Sequence, residues 1–295
     1  MSSPAKSYSL VSSYIICIIA YVCALGGAWY FLQNVSIENH LLTLFLADVL
    51  ATVIIFIFSL AFKNSSLYDA YWSVIPPFMI LYWFTVYAIM NSTVVLWYSI
   101  VVCFWAVRLT YNWAKGWTGL GHEDWRYKML REKNPALYPI TNFFGIHLFP
   151  TVMVFLGMLP VLDTISGSYV YYPVFFLGVI CCLIAVVVEF MADEQMRKFK
   201  KTARPGEFIE TGLWKYSRHP NYFGEIFFWF GLWIMAIGCW LPSIWTGIGW
   251  LAMLFMFVFA SIPMMEEKNK KNKPGYGDYI SRVSMLIPWP PKKKD

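Results

Sequence analysis

Charge is what this 295-residue chain has least of, with Asp, Glu, Lys and Arg together only 14% of it. Soluble domains carry about 25%, and here 59% of residues are hydrophobic with a mean hydropathy of +0.53. A water-soluble fold cannot hide so much apolar surface, whereas a chain bathed in lipid need not. Nothing in the composition points to a nucleic-acid partner or to an obligatory protein partner. The six cysteines (Cys17, Cys23, Cys103, Cys181, Cys182 and Cys239) all lie in apolar stretches and form no CxxC pair. Neither a metal site nor a disulfide framework is indicated, and they read as small buried hydrophobes. No Gly-rich nucleotide loop follows a strand; Gly119-Leu120-Gly121 lacks the third glycine and the helix-opening context. Internal repeats, low-complexity tracts and heptad runs are missing too, which argues for one membrane domain spanning 1–295, not an array. Within it, 1–140 would carry the N-terminal helices and 141–295 the C-terminal half. The N-terminal apolar run lacks a convincing cleavage site, so it reads as a retained first helix and not a signal peptide.

What is present is a series of apolar segments near 12–32, 41–62, 74–90, 93–114, 142–162, 169–192, 222–240 and 243–265. Each approaches the roughly 20 residues a helix needs to cross a bilayer. The third is interrupted by Pro76-Pro77, so it forms either a span or half of a hairpin with the fourth. The expected fold class is an all-α, polytopic transmembrane bundle of seven to eight spans. The turns near 33–40, 91–92, 163–168 and 241–242 contain no Lys or Arg, and every other connection and both ends contain at least one. That alternation is what the positive-inside rule demands of a bundle with both termini cytosolic. The closing Lys292-Lys293-Lys294-Asp295 resembles a dilysine retrieval signal, which would place a eukaryotic protein in the endoplasmic reticulum. A generic basic tail attracted to anionic lipid is the alternative.

Charged side chains inside a membrane are costly and therefore mark candidate sites. Arg108, Asn112 and Lys115 fall on one helical stripe, suited to phosphate oxygens or to snorkelling toward headgroups. Glu189 and Asp193 stand one turn apart, with Arg197 and Lys200 following. The richest stretch runs from Gly212 to Glu225, GLWKYSRHPNYFGE. Pro220 disfavours helix at His219, which leaves Arg218 and His219 in a loop above a span. Tyr222, Glu225, Trp229 and Trp233 then share a face, the wall of a pocket for a flat or long apolar molecule. The tail, with Glu266-Glu267-Lys268, Tyr276-Gly277-Asp278-Tyr279 and Ile287-Pro288, reads by itself as a solvated amphipathic segment on the membrane surface.

GLWKYSRHPNYFGE, Trp229, the 263–267 stretch and the closing Tyr279…Ile287-Pro288 resemble the C-terminal half of the steroid 5α-reductase superfamily, in particular its DUF1295 branch. Asn64, Tyr68-Asp69, Trp72-Ser73, Arg108, Glu123-Asp124-Trp125-Arg126-Tyr127 and Glu189…Asp193…Gln195 fit the same branch. The likeness is strongest from about 185 to 290. It implies reduction of an activated carbon–carbon double bond in a lipid with hydride from NADPH. It would make Arg218, Asn221, Tyr222, Glu225, Asp193, Arg197 and Tyr279 cofactor-pocket residues. Lys200 and Arg108 would lie toward phosphate, and Asn112, Glu189, His219, Trp229 and Glu267 would complete the set. Steroid 5α-reductases carry a catalytic tyrosine three residues before the arginine that aligns with Arg108. This chain has Trp105 there, and an indole cannot protonate an enolate. Glu225 is then the catalytic acid, with Tyr68 or Tyr222 as proton donor, unless the substrate is not a 3-keto steroid.

Arg-His-Pro-x-Tyr-x-Gly followed by a Glu-Glu pair also occurs in membrane methyltransferases of the isoprenylcysteine and phospholipid types. In that reading His219 and Glu267 would hold S-adenosylmethionine. A lipid-binding protein that kept the fold without the chemistry is the third class. Sterol, fatty-acyl chain and polyprenoid would all suit an aromatic intramembrane cavity.

Overall fold

The apolar runs become helices because lipid offers backbone amides no partner, so each segment must satisfy its own. A computed structural model describes residues 8–35, 37–87 and 90–293. The helices are α1 (Leu10–Asn34), α2 (His40–Phe62), α3 (Tyr71–Val86), α4 (Ser92–Gly116), α5 (Trp125–Lys133), α6 (Tyr138–Thr164), α7 (Tyr172–Lys200), α8 (Pro220–Cys239), α9 (Leu241–Asn272) and α10 (Tyr276–Arg282). Among the described residues there is no named strand, and seven helices are long and apolar enough to cross a membrane. The one apolar segment not among these seven is the third, α3, only 16 residues long with Pro76 and Pro77 inside it. Lys294 and Asp295 of the retrieval-like tail lie outside the described residues.

The chain divides into two compact units. The first comprises the described parts of Met1–Ala88 and Trp105–Phe155, the second those of Ile89–Phe104 and Leu156–Asp295. In the first unit, α1 packs along α2, and its buried face is a stripe of mostly small residues, Ser13, Cys17, Ala20, Ala24, Ala28 and Leu32. Beyond α2 the chain turns sharply. Lys63 takes a left-handed conformation (φ 52°), and the Asn64 side chain caps a short 3-10 turn, Ser65–Tyr68. The Asn64 amide also donates to the carbonyls of Leu120 (2.9 Å) and His122 (3.0 Å), which ties down the loop before α5. Glu123 accepts from the Ser65 amide (3.0 Å) and from Arg131 (2.8 Å). The Tyr127 hydroxyl donates to Asp69 at 2.6 Å. Burial pushes the Asp69 carboxyl up to about 6 against the opposing pull of that hydrogen bond and of the Arg126 charge.

In the second unit, α7 and α8 run against each other at backbone contact. Gly224, Gly231 and Gly238 recur every seven residues on α8, a repeat that the sequence reading did not detect because glycine carries no hydrophobic signal. A Cβ at Gly231 would stand 2.6 Å from Cys182 Sγ and 2.9 Å from the Cys182 amide nitrogen; one at Gly238 would stand 2.5 Å from the Phe175 amide nitrogen. On α7 the facing positions are Phe175, Gly178, Cys182, Ala185 and Glu189, spaced three and four residues apart. With lipid tails as apolar as leucine, no hydrophobic force drives such helices together. Close van der Waals packing does, and it requires small residues. Gly157 on α6 plays the same part for Trp229, whose ring lies 2.5 Å from where a Cβ would stand.

Gly231→Val is expected to destabilise the protein by about 1–3 kcal/mol through overpacking against α7 backbone. Gly26→Ala, where a Cβ meets nothing within 4 Å, should be neutral or mildly stabilising. Thermal unfolding of both variants in detergent tests this; equal melting temperatures would remove the glycine seam from the account.

Candidate functional site

The second unit gathers most of the residues singled out in the sequence. Pro220 opens α8, where its missing N–H costs nothing, and holds His219 outside the helix with extended φ (−138°). Upstream, Gly212 has φ +62°, and the side-chain oxygen of Gln195 caps the following turn by accepting from the Leu213 amide (2.8 Å). The Trp214 indole donates to the Ala192 carbonyl (3.1 Å), which locks this turn to α7.

Arg218 is 8% exposed, and its guanidinium is fully committed to structure on one side. Nε donates to Glu266 (2.7 Å), and one terminal nitrogen donates to the carbonyls of Ile280 (2.9 Å) and Val283. These two carbonyls lie at the C-terminal end of α10, where helical oxygens lack intrahelical partners and a cation is favoured. The same edge is closed by Arg218 N–H to the Ser284 carbonyl (2.9 Å), the Ser217 hydroxyl to the Leu286 carbonyl (2.7 Å) and the Tyr279 hydroxyl to the Trp214 carbonyl (2.5 Å). The tail is therefore not a solvated surface segment as its sequence suggests. Tyr276, Tyr279 and Val283 are buried, because Arg218 supplies polar partners that the tail's own sequence does not reveal. Burial raises the Tyr279 hydroxyl well above the usual tyrosine range.

His219 donates through Nε2 to the same Glu266 oxygen (3.2 Å) and stacks on Tyr222, centroids 5.4 Å apart and planes 5° from parallel. Tyr222 also meets Phe257 at 4.7 Å. One turn deeper, Glu225 is 5% exposed and accepts from the Trp229 indole at 2.9 Å. Trp233 leaves this column: its indole donates to the Ile244 carbonyl (3.0 Å) and stacks on Trp250. Glu189 is 1% exposed and lies flat beneath Gly224, where any side chain would collide with it. Asp193 and Asn221 are half-buried, and Lys200 is exposed at the end of α7. Arg197 pairs with Glu194.

Of the adjacent acids in α9, Glu267 is exposed and pairs with Lys271 (2.6 Å), whereas Glu266 faces inward. Sequence reasoning assigned Glu267 and missed Glu266. In the sequence the two acids look alike, and only their tertiary partners, Arg218 and His219 for Glu266, tell them apart. Past α9, Lys273 is half-buried. Burial, then the charges of Lys200 and Lys268, hold its ammonium below the usual lysine range. Three like charges from α7, α9 and the following turn thus converge, an arrangement that an anion relieves.

Tyr68, Arg108 and Asn112 belong to the first unit. Arg108 is 7% exposed and Trp105 fully buried on the same helix; Asn112 is half-buried. Tyr68 is 3% exposed, and its hydroxyl bonds to Thr151 at 2.7 Å. No group of His, Cys, Asp and Glu among the described residues could hold a metal ion.

The family described as "Protein of unknown function (DUF1295)" matches residues 55–283. An uncharacterized protein of Schizosaccharomyces pombe is similar at 26% identity over 287 residues, covering 88% of this chain and 81% of its own. No solved structure matches. The matched span takes in the whole of α3 to α10, with the Arg218–Glu266 clamp: the chain is a multi-pass, membrane-helical member of the DUF1295 family.

Proposed function

We propose that the protein is a membrane-embedded, NADPH-dependent reductase of a carbon–carbon double bond in a lipid. The observation that supports this reading best is the graded column on α8. Arg218 stands just before α8, an aromatic stack of His219 and Tyr222 follows at its first turn, and the buried Glu225–Trp229 pair lies further along the helix. A ligand with a charged end and a flat, reactive end suits such a gradient.

NADPH fits the donor set at the lysine cluster. Its phosphates would lie toward Lys200, Lys268 and Lys273, whose mutual repulsion they would relieve. Arg218, already bonded to Glu266 and the end of α10, shapes the wall there. Bound NADPH would supply hydride. Hydride addition to the carbon β to a carbonyl sends charge to the oxygen. A hydrogen bond from protonated Glu225 would stabilise that charge, and a proton from Tyr222 would complete the saturation. The Trp229 indole fixes the Glu225 carboxyl for this role. Burial of the column excludes water that would compete for those hydrogen bonds.

Titrating the detergent-solubilised chain with NADPH, NADH and S-adenosylmethionine, read by tryptophan fluorescence, should show saturable quenching by NADPH. Quenching by S-adenosylmethionine alone would make the protein a methyltransferase. Silence from all three would leave a lipid-binding protein without this chemistry. Lys273→Glu should weaken NADPH on the order of tenfold, one charge-assisted contact, with a smaller effect on NADH; an unchanged affinity removes the cluster as the phosphate site. Glu225→Gln keeps an acceptor for Trp229 and should leave the melting temperature intact while abolishing turnover. Retained turnover would dismiss Glu225 as the acid.

A further inference from the structure

Asp48 stands in the middle of α2 and takes no part in the site above. It lies about 12 Å along the helix from His40 and about 21 Å from Phe62, well within an apolar layer roughly 30 Å thick. It is 1% exposed. Oδ1 accepts from the Tyr71 hydroxyl at 2.8 Å, while Oδ2 is buried and has no hydrogen-bond partner among the described residues.

Among the described residues no cation pairs with it. Among Asp, Glu, Lys, Arg and His, α1 and α3 contain none, and α2 contains only Asp48 itself and His40 at its far end. From α6, His147 approaches the same interior, but both of its ring nitrogens are engaged elsewhere: Nδ1 donates to the Asn142 carbonyl (3.0 Å) and Nε2 shares a hydrogen bond with the Ser59 hydroxyl (3.0 Å), so neither serves Asp48. The remaining polar neighbours form a closed hydroxyl network. Tyr68 and Thr52 both bond to Thr151 at 2.7 Å, Thr151 bonds the His147 carbonyl (3.0 Å), and Thr52 also stands beside the Tyr71 hydroxyl. All of these residues are buried within the first unit. A carboxylate stripped of water, with one oxygen bare and no cation in reach, is a far costlier occupant of this place than a neutral acid. As a neutral acid, the group has Oδ1 as its carbonyl, served by Tyr71, and Oδ2 carries the proton.

We propose that Asp48 is a protonated carboxylic acid whose Oδ2–H forms a second binding site. It would take the acceptor oxygen (carbonyl, ether or hydroxyl) of an uncharged lipid-like molecule. Tyr71 orients the acid, and the Thr52–Thr151–Tyr68 hydroxyls hold Tyr71 and the surrounding helices in register. This site stands independently of the reductase reading, because it requires no nucleotide and no turnover.

Infrared spectroscopy of the purified full chain at neutral pH tests it. The protonated-carboxyl C=O band should be stronger in the native protein than in Asp48→Asn. In Tyr71→Phe the same band should remain but move to higher frequency, since its carbonyl loses a donor; this variant keeps the test alive should Asp48→Asn fail to fold. Adding a long-chain methyl ketone should shift the acid band, whereas the matching alkane should not. An Asp48 band seen only after acidification, or a response to a long-chain primary amine in place of the ketone, would show an ionised carboxylate and overturn the proposal. A band present but unmoved by the ketone would overturn the binding site. NADPH titration of the same Asp48→Asn sample should be unchanged, which separates the failure of this site from failure of the nucleotide site.

Discussion

The approach of α7 to α8 at backbone distance is the constraint on which the second unit depends. In lipid, two helices gain little by hiding apolar surface from their surroundings, so they must gain by fitting. Gly224, Gly231 and Gly238 remove three side chains from one face of α8, and Phe175, Gly178, Cys182 and Ala185 fill the groove that remains. Once the axes are that close, the register of the two helices is set. Glu189 is pressed beneath Gly224, and the face bearing Tyr222, Glu225 and Trp229 is aimed by the same rotation.

A second constraint follows from the first. With α8 held tightly, its N-terminal entry has to be anchored as well, and Arg218 does this by gripping Glu266 and the carbonyls that end α10. One cation therefore organises three chain segments that lie far apart in sequence. The cost of burying a guanidinium is offset by a carboxylate and two oxygen dipoles, in the geometry that makes charge-assisted hydrogen bonds strong. The buried cation is paired, whereas Lys273, half-buried, feels the like charges of Lys200 and Lys268.

The first unit meets the same solvent with different means. Its interior holds a network of hydroxyls, with Asp48, Asn142 and His147 among them. Each interhelical hydrogen bond in a membrane protein averages only about 0.6 kcal/mol. Such a network specifies which helices meet more than it holds them together. Asp48, whose Oδ2 meets no partner among the described residues, is for that reason its informative member.

Hydropathy and charge were legible along the chain, so the helical class, the apolar segments and the loop above α8 could be read directly. Pro220 marked the start of α8, and the family resemblance stood on contiguous motifs that any fold would leave intact. The glycine seam was harder to see, since glycine is silent in a hydrophobic pattern. The inward turn of Glu266 and the burial of α10 depend on Arg218, a partner about fifty residues or more away. Asp48 carried a signal, a lone acid in a span, but the absence of neighbouring motifs hid it. Composition by itself determined that this protein lives in lipid, because transfer free energies are local and add residue by residue. Which side chains face one another was decided only by tertiary packing, because pairing a buried charge or fitting a groove is a property of two segments and is written in neither alone.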